Sequence, residues 1–551
     1  MLVAFADRLN PTSRRATLQP PLTYCVTEFG RLFVGRINIQ LAPETTAEEL
    51  RSRFWRRAWA QMMKKRRSWW LLRSVPILLV LETIACQQAA QNSGHVQHIE
   101  DGLLTAVVLP GQPSPMKLTE RMTYYHVPGV SIAIINNGKI EWAKGYGVLE
   151  ARGTKAVTAV TPFQAASISK PMTAMAALSL VQAGKVALDE NVNLQLKSWQ
   201  VPDNEFTKDQ KVTLRRLLNH SAGVTVEDVG SYGVDEVLPT LVQALDGLKP
   251  AHSQPIRVDV VPGTKWRYSG GGYSVVQQLL IDVTAKPFAE LMQELVLRKI
   301  GMTHSTFDQP LPHDWEAIAA TGHDVNGEPL KGRWHIFPQA AAAGLWTTPT
   351  DLAQFAIELQ ESYTGKSNRV LSVDMTRQML TKQLGGYGLG LWLGGKEKVT
   401  NFSHAGQNEG FTCILVAYLD TGQGAVIMTN GDRGSGLFNE ILRAVAHEYG
   451  WPDHHPTEKT VADVHPAVYR SYVGEYDANG IRATISTDGE QLFAFASPLG
   501  PQRVRLYPSA EDRFFLLDQD VDLTFVKDTE GHVTEMRAIA NGQAVTATKV
   551  K

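Results

Sequence analysis

A chain of 551 residues is too long for one hydrophobic core, so two or more domains are expected. Apolar residues make up 43% and charged residues 20%, which is ordinary for a soluble globular protein. Residues 1–73 hold fourteen Lys and Arg against five Asp and Glu, a balance of +9, and because the net charge is −1 the remainder carries −10. This mildly acidic remainder does not indicate a nucleic-acid-binding surface. The three cysteines cannot form a disulfide framework.

The basic start leads into an export signal. Residues 62–73 are rich in Lys and Arg, the next dozen residues are mostly apolar, and a small residue precedes Cys86. This order is typical of a bacterial secretion signal, which we assign to residues 62–85. Its end resembles a lipoprotein processing site, so lipid attachment at Cys86, plain cleavage and an uncleaved anchor stay open. Residues 1–61 are interpreted as an over-extended or disordered N-terminus rather than a nucleic-acid-binding arm.

An antiparallel sheet is predicted after a polar tether at residues 86–115 and a short amphipathic helix. Val130–Ile135 and Ile140–Gly147 are β-rich runs on either side of an Asn-Asn-Gly turn, a pattern that predicts a hairpin. A buried helix follows the hairpin. Strands followed by a helix that packs on them indicate an α+β arrangement.

That buried helix carries a candidate nucleophile. Residues 172–183 contain only three polar side chains and no charge, so the helix belongs inside a core, and Pro171 requires it to begin close to Ser167. Ser167 and Lys170 are three residues apart and share a face of the first turn. The positive end of the helix dipole favours an alkoxide or oxyanion there. An amine in apolar surroundings loses its proton readily and can act as the base.

Two downstream segments each allow two readings. Leu214–Val224 predicts a helix followed by a loop, and His220 in it is either catalytic or, as we favour, a residue that holds the loop in place. Three consecutive glycines, Gly270 to Gly272, precede a helix predicted from about Ser274. They allow the backbone to approach a ligand closely, but a tight turn without a ligand uses the same residues.

The chain changes character after Trp451. Residues 451–456, Trp-Pro-Asp-His-His-Pro, break the composition, and residues 453–465 are predicted to be a linker. From residue 466 to residue 551, short β-type runs alternate with Asp-Gly and Glu-Gly turns. This spacing predicts a small all-β domain.

Three short motifs follow one another in chain order. They are Ser167-Ile168-Ser169-Lys170, Tyr268-Ser269-Gly270 and His404-Ala405-Gly406. Together they resemble the serine β-lactamase and penicillin-binding-protein superfamily, in the branch that holds class C β-lactamases, D-alanyl-D-alanine carboxypeptidases, D-aminopeptidases and esterases. The resemblance implies a hydrolase domain with an antiparallel sheet flanked by helices and an all-helical subdomain. We place this whole domain at residues 116–452, before the small all-β domain.

The resemblance also implies a role for each motif residue. Ser167 is the acylated nucleophile, Lys170 tunes or deprotonates it, and Tyr268 shuttles the proton. His404 and Gly406 lie on the strand edge that lines the cleft, where relatives carry Lys-Thr-Gly or His-x-Gly. The oxyanion hole consists of the backbone N–H groups of Ser167 and Gln407. Gly270 departs from the pattern, because many relatives place there an asparagine that contacts substrate. No cofactor and no metal are implied.

The sequence therefore predicts a secreted serine hydrolase that cleaves a D-aminoacyl peptide, an ester or a β-lactam-like amide, with a peptidase or esterase favoured over a dedicated β-lactamase. The alternative is a catalytically idle scaffold that binds peptidoglycan or a protein partner. Expected partners are a small-molecule or peptide substrate and peptidoglycan, without nucleic acid. The expected location is the bacterial envelope, either periplasmic or held at the membrane through a lipid on Cys86.

Overall fold

The chain divides into two units, residues 1–95 and residues 96–551. The computed structural model describes residues 92–111, 114–395, 399–496, 502–540 and 543–550, nearly all of which belong to the second unit. The proposed N-terminal extension, the signal peptide and Cys86 lie outside the described residues. Those three assignments stay predictions.

One antiparallel sheet forms the centre of the larger domain. The strands from the start of the described chain to the end of this domain are β1 (Val107–Val108), β2 (Gly129–Asn136), β3 (Lys139–Gly147), β4 (Phe163–Gln164), β5 (Trp346–Thr347), β6 (Trp392–Gly394), β7 (Asn401–Asn408), β8 (Phe411–Tyr418) and β9 (Gly424–Thr429). Six of them form the sheet in the order β3-β2-β9-β8-β7-β6, and β4 pairs with β5 in a separate two-stranded ladder. The predicted hairpin is confirmed as β2 and β3.

Helices cover both faces of this sheet. The α-helices of this domain after residue 111 are α1 (Leu118–Tyr124), α2 (Ser169–Gln182), α3 (Leu214–Leu218), α4 (Leu241–Asp246), α5 (Gly270–Thr284), α6 (Phe288–Met292), α7 (Arg298–Ile300), α8 (His313–Glu316), α9 (Ala340–Ala343), α10 (Pro349–Tyr363), α11 (Val373–Met379) and α12 (Gly434–Tyr449). A π-helical turn, Gln293–Leu297, joins α6 to α7.

Side chains of β2 show how the two faces are filled. Ala133 and Ile135 point into the core shared with α2 and α10, whereas Ile132 and Ile134 point into the core shared with α1 and α12. Because alternate residues of a strand face opposite sides, a strand covered on both faces must be apolar throughout, as β2 is. The buried α2 confirms the predicted central helix, and the α+β fold class is confirmed.

A closed barrel follows the larger domain and confirms the predicted small all-β domain. Its eight strands are β11 (Gly474–Ala478), β12 (Ile481–Thr487), β13 (Leu492–Ala496), β14 (Val504–Ala510), β15 (Arg513–Phe515), β16 (Val521–Lys527), β17 (Val533–Ala540) and β18 (Gln543–Lys549). Aromatic side chains fill its interior, where the Tyr472 ring stacks on Phe525 with centroids 4.4 Å apart. Closure leaves no unpaired strand edge.

The segments predicted as a tether and a linker are ordered against each other, which differs from the sequence prediction. In residues 96–111, the side chains of Ile99, Leu103 and Val107 are buried. β1 pairs in parallel with β10 (Thr457–Glu458), which lies in the predicted linker. The backbone N–H of Val107 also donates to the Leu517 carbonyl of the barrel at 2.9 Å. The apolar residues of the N-terminal segment therefore join the core instead of spanning a gap.

Within the part of the chain that the structure describes, no helix combines the length and the apolar character that crossing a bilayer requires.

Candidate active site

Ser167 lies in a single 3-10 turn, Ala166–Ile168, directly before α2. The residue before it, Ala166, has a φ of 47°, a left-handed conformation that a non-glycine residue adopts at a cost of about 1–3 kcal/mol. Ser169 holds this turn in place, because its Oγ donates to the Ala166 carbonyl at 2.6 Å and accepts the Leu345 N–H at 3.0 Å. Ser167, the candidate nucleophile, therefore lies at a helix start on a strained backbone that hydrogen bonds hold in place.

Lys170 contacts the nucleophile directly. Its Nζ donates to Ser167 Oγ at 2.9 Å and to the Ala342 carbonyl at 3.0 Å, and its side chain is buried. The short helix α9 that supplies this carbonyl is itself fixed, because the Ala341 N–H donates to Gln277 Oε1 at 2.9 Å. The two contacts aim the amine at the serine, which confirms that Ser167 and Lys170 share one face of the turn.

The ring of Tyr268 lies beside the amine of Lys170. The lysine Nζ is 4.9 Å from the centre of the tyrosine ring, and the His220 ring lies tilted against the same ring with centroids 4.3 Å apart. His220 Nδ1 accepts the N–H of Ser269 at 3.1 Å. Burial, followed by the charge of Lys170, holds the pKa of His220 well below its usual range, so the ring is neutral. His220 thus positions the loop that carries Tyr268, as the favoured reading expected.

His404 on β7 is buried and has both ring nitrogens occupied. Nδ1 lies 2.6 Å from the Ala405 carbonyl, to which it must donate, and Nε2 lies 3.0 Å from the Tyr387 hydroxyl. Burial, with a further contribution from Lys170, lowers the pKa of His404 to about 3. His404 is therefore a neutral Nδ1–H tautomer whose Nε2 accepts from Tyr387. It fixes the strand but carries no charge.

Gly406 brings the strand edge against the nucleophile turn. A Cβ at this position would lie 2.3 Å from the Ala165 carbonyl, so only glycine permits the approach. The last residue pair of the β7–β8 hairpin before its turn is Asn408–Phe411. Because only alternate pairs of an antiparallel ladder exchange hydrogen bonds, the N–H of Gln407, one residue earlier, points away from β8. On that side β6 pairs only with residues 401–403. The Gln407 N–H is thus directed towards the cleft, where the predicted oxyanion hole requires it.

Gly270 lies in a helix and not in a ligand-binding loop. The helix α5 begins at Gly270, whereas the sequence predicted a start near Ser274. The three glycines form the first turn of α5, capped by Ser269 Oγ, which accepts the Gly272 N–H at 3.0 Å. A Cβ on Gly270 would lie 2.8 Å from the Glu227 carbonyl, and one on Gly271 would lie 2.8 Å from the Thr225 carbonyl. The glycines therefore serve close packing against the loop at residues 225–229, and Gly270 offers no side chain to a substrate.

The far end of β7 is closed by a polar cluster that the sequence did not indicate. Ser231 Oγ donates to Glu409 Oε1 at 2.7 Å, and His335 Nδ1 is 3.6 Å from the same carboxylate. Burial alone would raise the pKa of Glu409, but hydrogen bonds from His335 and Ser231 lower it to about 2. Gln164, three residues before the nucleophile, donates to the His335 carbonyl at 2.7 Å, so this cluster lies next to the active site.

Tyr387 is the second contribution that sequence reasoning missed. The available signal was the richness of residues 385–395 in glycine and aromatic residues. In the structure Tyr387 is fully buried beside His404, and its ring packs on Trp266 and Trp392 with centroids 6.2 and 5.0 Å away. An aromatic wall therefore borders the site on the side of Tyr268.

Comparison with known proteins agrees with this geometry. The sequence profile of the Beta-lactamase family matches residues 117–449. Penicillin-binding protein 4* of Bacillus subtilis (strain 168) is 23% identical over 428 residues, which is 74% of this chain and 92% of that protein. Penicillin-binding protein 4 of Amycolatopsis lactamdurans is 26% identical over 348 residues, 59% of this chain and 87% of that protein.

A solved structure shares the fold. The octameric penicillin-binding protein homologue from Pyrococcus abyssi aligns with a TM-score of 0.52 and 22% identity, over 78% of this chain and 98% of that one. The matched profile covers more than half of the chain and contains the serine, lysine, tyrosine and histidine of the site. The chain belongs to the Beta-lactamase family of serine hydrolases.

Proposed function

We propose that this protein is an exported serine hydrolase that forms an acyl-enzyme on Ser167 and cleaves an ester or amide. The observation that carries the proposal is the 2.9 Å contact between Lys170 Nζ and Ser167 Oγ at a buried helix start. A nucleophile and a base within hydrogen-bond distance are the minimum for covalent acyl transfer. A non-catalytic scaffold would have no use for a strained Ala166 beside an aimed amine.

The geometry supports the following route to the acyl-enzyme. Lys170 takes the proton of Ser167 as Oγ attacks the substrate carbonyl, and the Ser167 and Gln407 N–H groups receive the charge that develops on oxygen. The tetrahedral intermediate collapses when its C–O or C–N bond breaks. Tyr268 then passes the proton from Lys170 to the leaving group, which departs as an alcohol or amine.

Deacylation reverses the proton transfers. A water molecule replaces the leaving group, loses a proton through Tyr268 to Lys170 and attacks the acyl carbon. The second tetrahedral intermediate releases the acid, and Ser167 regains its proton. The reaction is a net hydrolysis, and it uses only groups of this chain and water.

A peptidase or esterase specificity fits this site better than a dedicated β-lactamase. Gly270 has no side chain, and its packing within α5 leaves little room for one, so no side-chain amide is present there to bind the amide of a β-lactam. One missing hydrogen bond reduces binding by roughly 0.5–1.5 kcal/mol. The natural substrate is then an ester or an aminoacyl amide, with peptidoglycan fragments among the peptides to be tested.

Export to the envelope is part of the proposal, and it rests on the signal-like order of residues 62–86. If the signal is cleaved, the N-terminus of the mature protein lies at or after Cys86. Intact-mass analysis of protein purified from its own host measures this. A mature chain that retains residues 1–61 would contradict export through this signal.

Labelling with a fluorophosphonate tests the proposed chemistry. We expect one adduct, on Ser167, in the wild type, an unlabelled Ser167→Ala variant, and normal labelling of the control Ser231→Ala, which removes another serine near the cleft. Screening short-chain esters, D-aminoacyl amides and a chromogenic cephalosporin then ranks the substrate classes. Persistent labelling of Ser167→Ala would overturn the assignment of the nucleophile.

A further inference from the structure

The direction of proton transfer distinguishes the two ends of the cleft. The leaving group must receive its proton from Tyr268, so it lies on the side of Tyr268 and His404. The acyl group occupies the opposite direction along β7, from Gln407 towards Glu409. Successive residues of a strand advance by about 3.3 Å, so the two ends are well separated.

The leaving-group end is lined by uncharged aromatic side chains. We define the aromatic wall as Trp266, Tyr268, Tyr387 and Trp392. Trp392 is 38% exposed, and its ring lies 5.0 Å from those of both Trp266 and Tyr387. Trp266 in turn contacts Tyr268 with centroids 6.4 Å apart. The wall thus runs from the surface to the proton-transferring tyrosine.

On the strand beside this wall, neither His404 nor Ala405 offers a group that would bind an anion. Both nitrogens of His404 are used, Nδ1 on the Ala405 carbonyl and Nε2 on the Tyr387 hydroxyl, so neither has an N–H to give to a substrate. The next residue, Ala405, is exposed but has no hydroxyl group and no charge. Lys170 is buried and occupied by Ser167 and the Ala342 carbonyl.

We propose that the natural substrate has an uncharged leaving group, an alcohol or an amine without a carboxylate, that packs on the aromatic wall. This inference rests on the proposed serine hydrolase function and narrows its substrate class. The four described residues of the wall supply no cation, so desolvating a carboxylate against their rings is unfavourable, whereas an apolar or aromatic group gains contact area there. Substrates whose departing residue carries a free carboxylate are then poor ones.

Two aryl esters with the same acyl group test the inference. 3-Carbamoylphenyl acetate and 3-carboxyphenyl acetate differ only in the charge of the leaving phenol. We expect kcat/KM for the neutral ester to be larger by about tenfold or more, after division by each ester's rate of alkaline hydrolysis, since one hydrogen bond to a charged group is worth about tenfold or more. Equal values, or a preference for the carboxylate, would overturn the inference.

The outcomes separate this inference from the proposed function. Failure of the fluorophosphonate to label Ser167 would contradict both. Labelling of Ser167 without turnover of either ester would overturn the inference alone, because it requires the neutral aryl ester to be a substrate.

Two variants locate the effect on the strand and the wall. Ala405→Thr adds a hydroxyl at an exposed strand position and should raise kcat/KM for the carboxylate ester by about two- to tenfold, with little change for the neutral ester. Trp392→Ala should lower kcat/KM for both aryl esters by about two- to tenfold. The control Phe495→Ala removes another exposed aromatic ring, on the barrel, and should change none of these values. Unchanged aryl ester kinetics in Trp392→Ala would remove the wall from the proposal.

Discussion

The proposed role of Tyr268 depends on one atom, its hydroxyl oxygen. Tyr268→Phe keeps the ring that contacts His220 and Lys170 and removes only the hydroxyl group, so it tests that role alone. We expect kcat to fall by about 10² or more with an unchanged Tm, because proton transfer contributes that much to such reactions. Lys170→Ala should lower kcat at least as far. Steady-state kinetics and thermal melting measure both, and near-normal turnover in either variant would remove that residue from the mechanism.

The neutral state of His404 has a consequence for acid stability. Its pKa is about 3 in the folded protein against 6.5 for an ordinary histidine, so below pH 6.5 the unfolded chain binds a proton that the folded chain refuses. The contribution of this residue to stability is therefore complete above pH 6.5 and falls towards pH 3, by about 1.4 kcal/mol per pH unit. Burial also lowers the pKa of His220, so its contribution to stability likewise falls as the pH is lowered.

His404→Gln removes that titration and serves as the comparison. Urea unfolding between pH 4 and pH 7 should show a wild-type free energy of unfolding that declines more steeply towards low pH than that of the variant, by about 1.4 kcal/mol per pH unit. Parallel curves for the two proteins would show that His404 is protonated in the folded state, and would also undermine the assigned tautomer.

At the scale of elements, the first turn of α5 depends on glycine for packing. Gly271→Ala places a Cβ 2.8 Å from the Thr225 carbonyl, whereas the nearest neighbour of a Cβ in Gly272→Ala is 3.6 Å away. We expect Gly271→Ala to lose about 1–3 kcal/mol of stability through overpacking, and Gly272→Ala to be neutral or stabilising. Chemical denaturation of the two variants gives the comparison. Equal stabilities would show that the loop at residues 225–229 moves aside without cost.

A comparison of α2 with α5 shows which features could be predicted from the sequence and which could not. The apolar run after Ser169 and the Ser-x-x-Lys spacing predicted α2 and the nucleophile, because both depend on local periodicity. The glycine run left ligand approach and a tight turn both open, since nothing local reveals that the chain at residues 225–229 packs on it. Tyr387 and Ala342 reach the site only through tertiary folding from outside the motifs, and Glu409, although it closely follows the third motif, meets Ser231 and His335 only in the folded chain. Their contacts could not be inferred from spacing.

At the scale of the whole molecule, one buried charge network joins the hydrolase domain to the barrel. Arg121 on α1 binds Glu440 on α12 at 2.6 Å and Asp518 of the barrel at 3.1 Å. Tyr124 donates to the same Asp518 at 2.7 Å. The side chain of Glu440 is fully buried, so it depends on Arg121 for compensation.

Arg121→Ala should therefore destabilise the protein by about 3–5 kcal/mol, because it leaves a buried carboxylate unpaired. The control Arg152→Ala breaks the exposed pair with Glu328, whose side chains are 78% and 52% exposed, and should have little effect. Calorimetry of the two variants measures the difference. Similar small losses in both would mean that Glu440 becomes protonated without consequence, and that the network does not hold the domains together.

The central claim is that Ser167 becomes acylated during turnover. Acid-quenched reaction mixtures with a phenyl ester, analysed by intact mass and peptide mapping, test it most directly. We expect an adduct of the mass of the acyl group on the peptide that contains Ser167, formed in the wild type, accumulating in Tyr268→Phe and absent from Ser167→Ala. An adduct on another residue, or turnover that persists in Ser167→Ala, would contradict the claim.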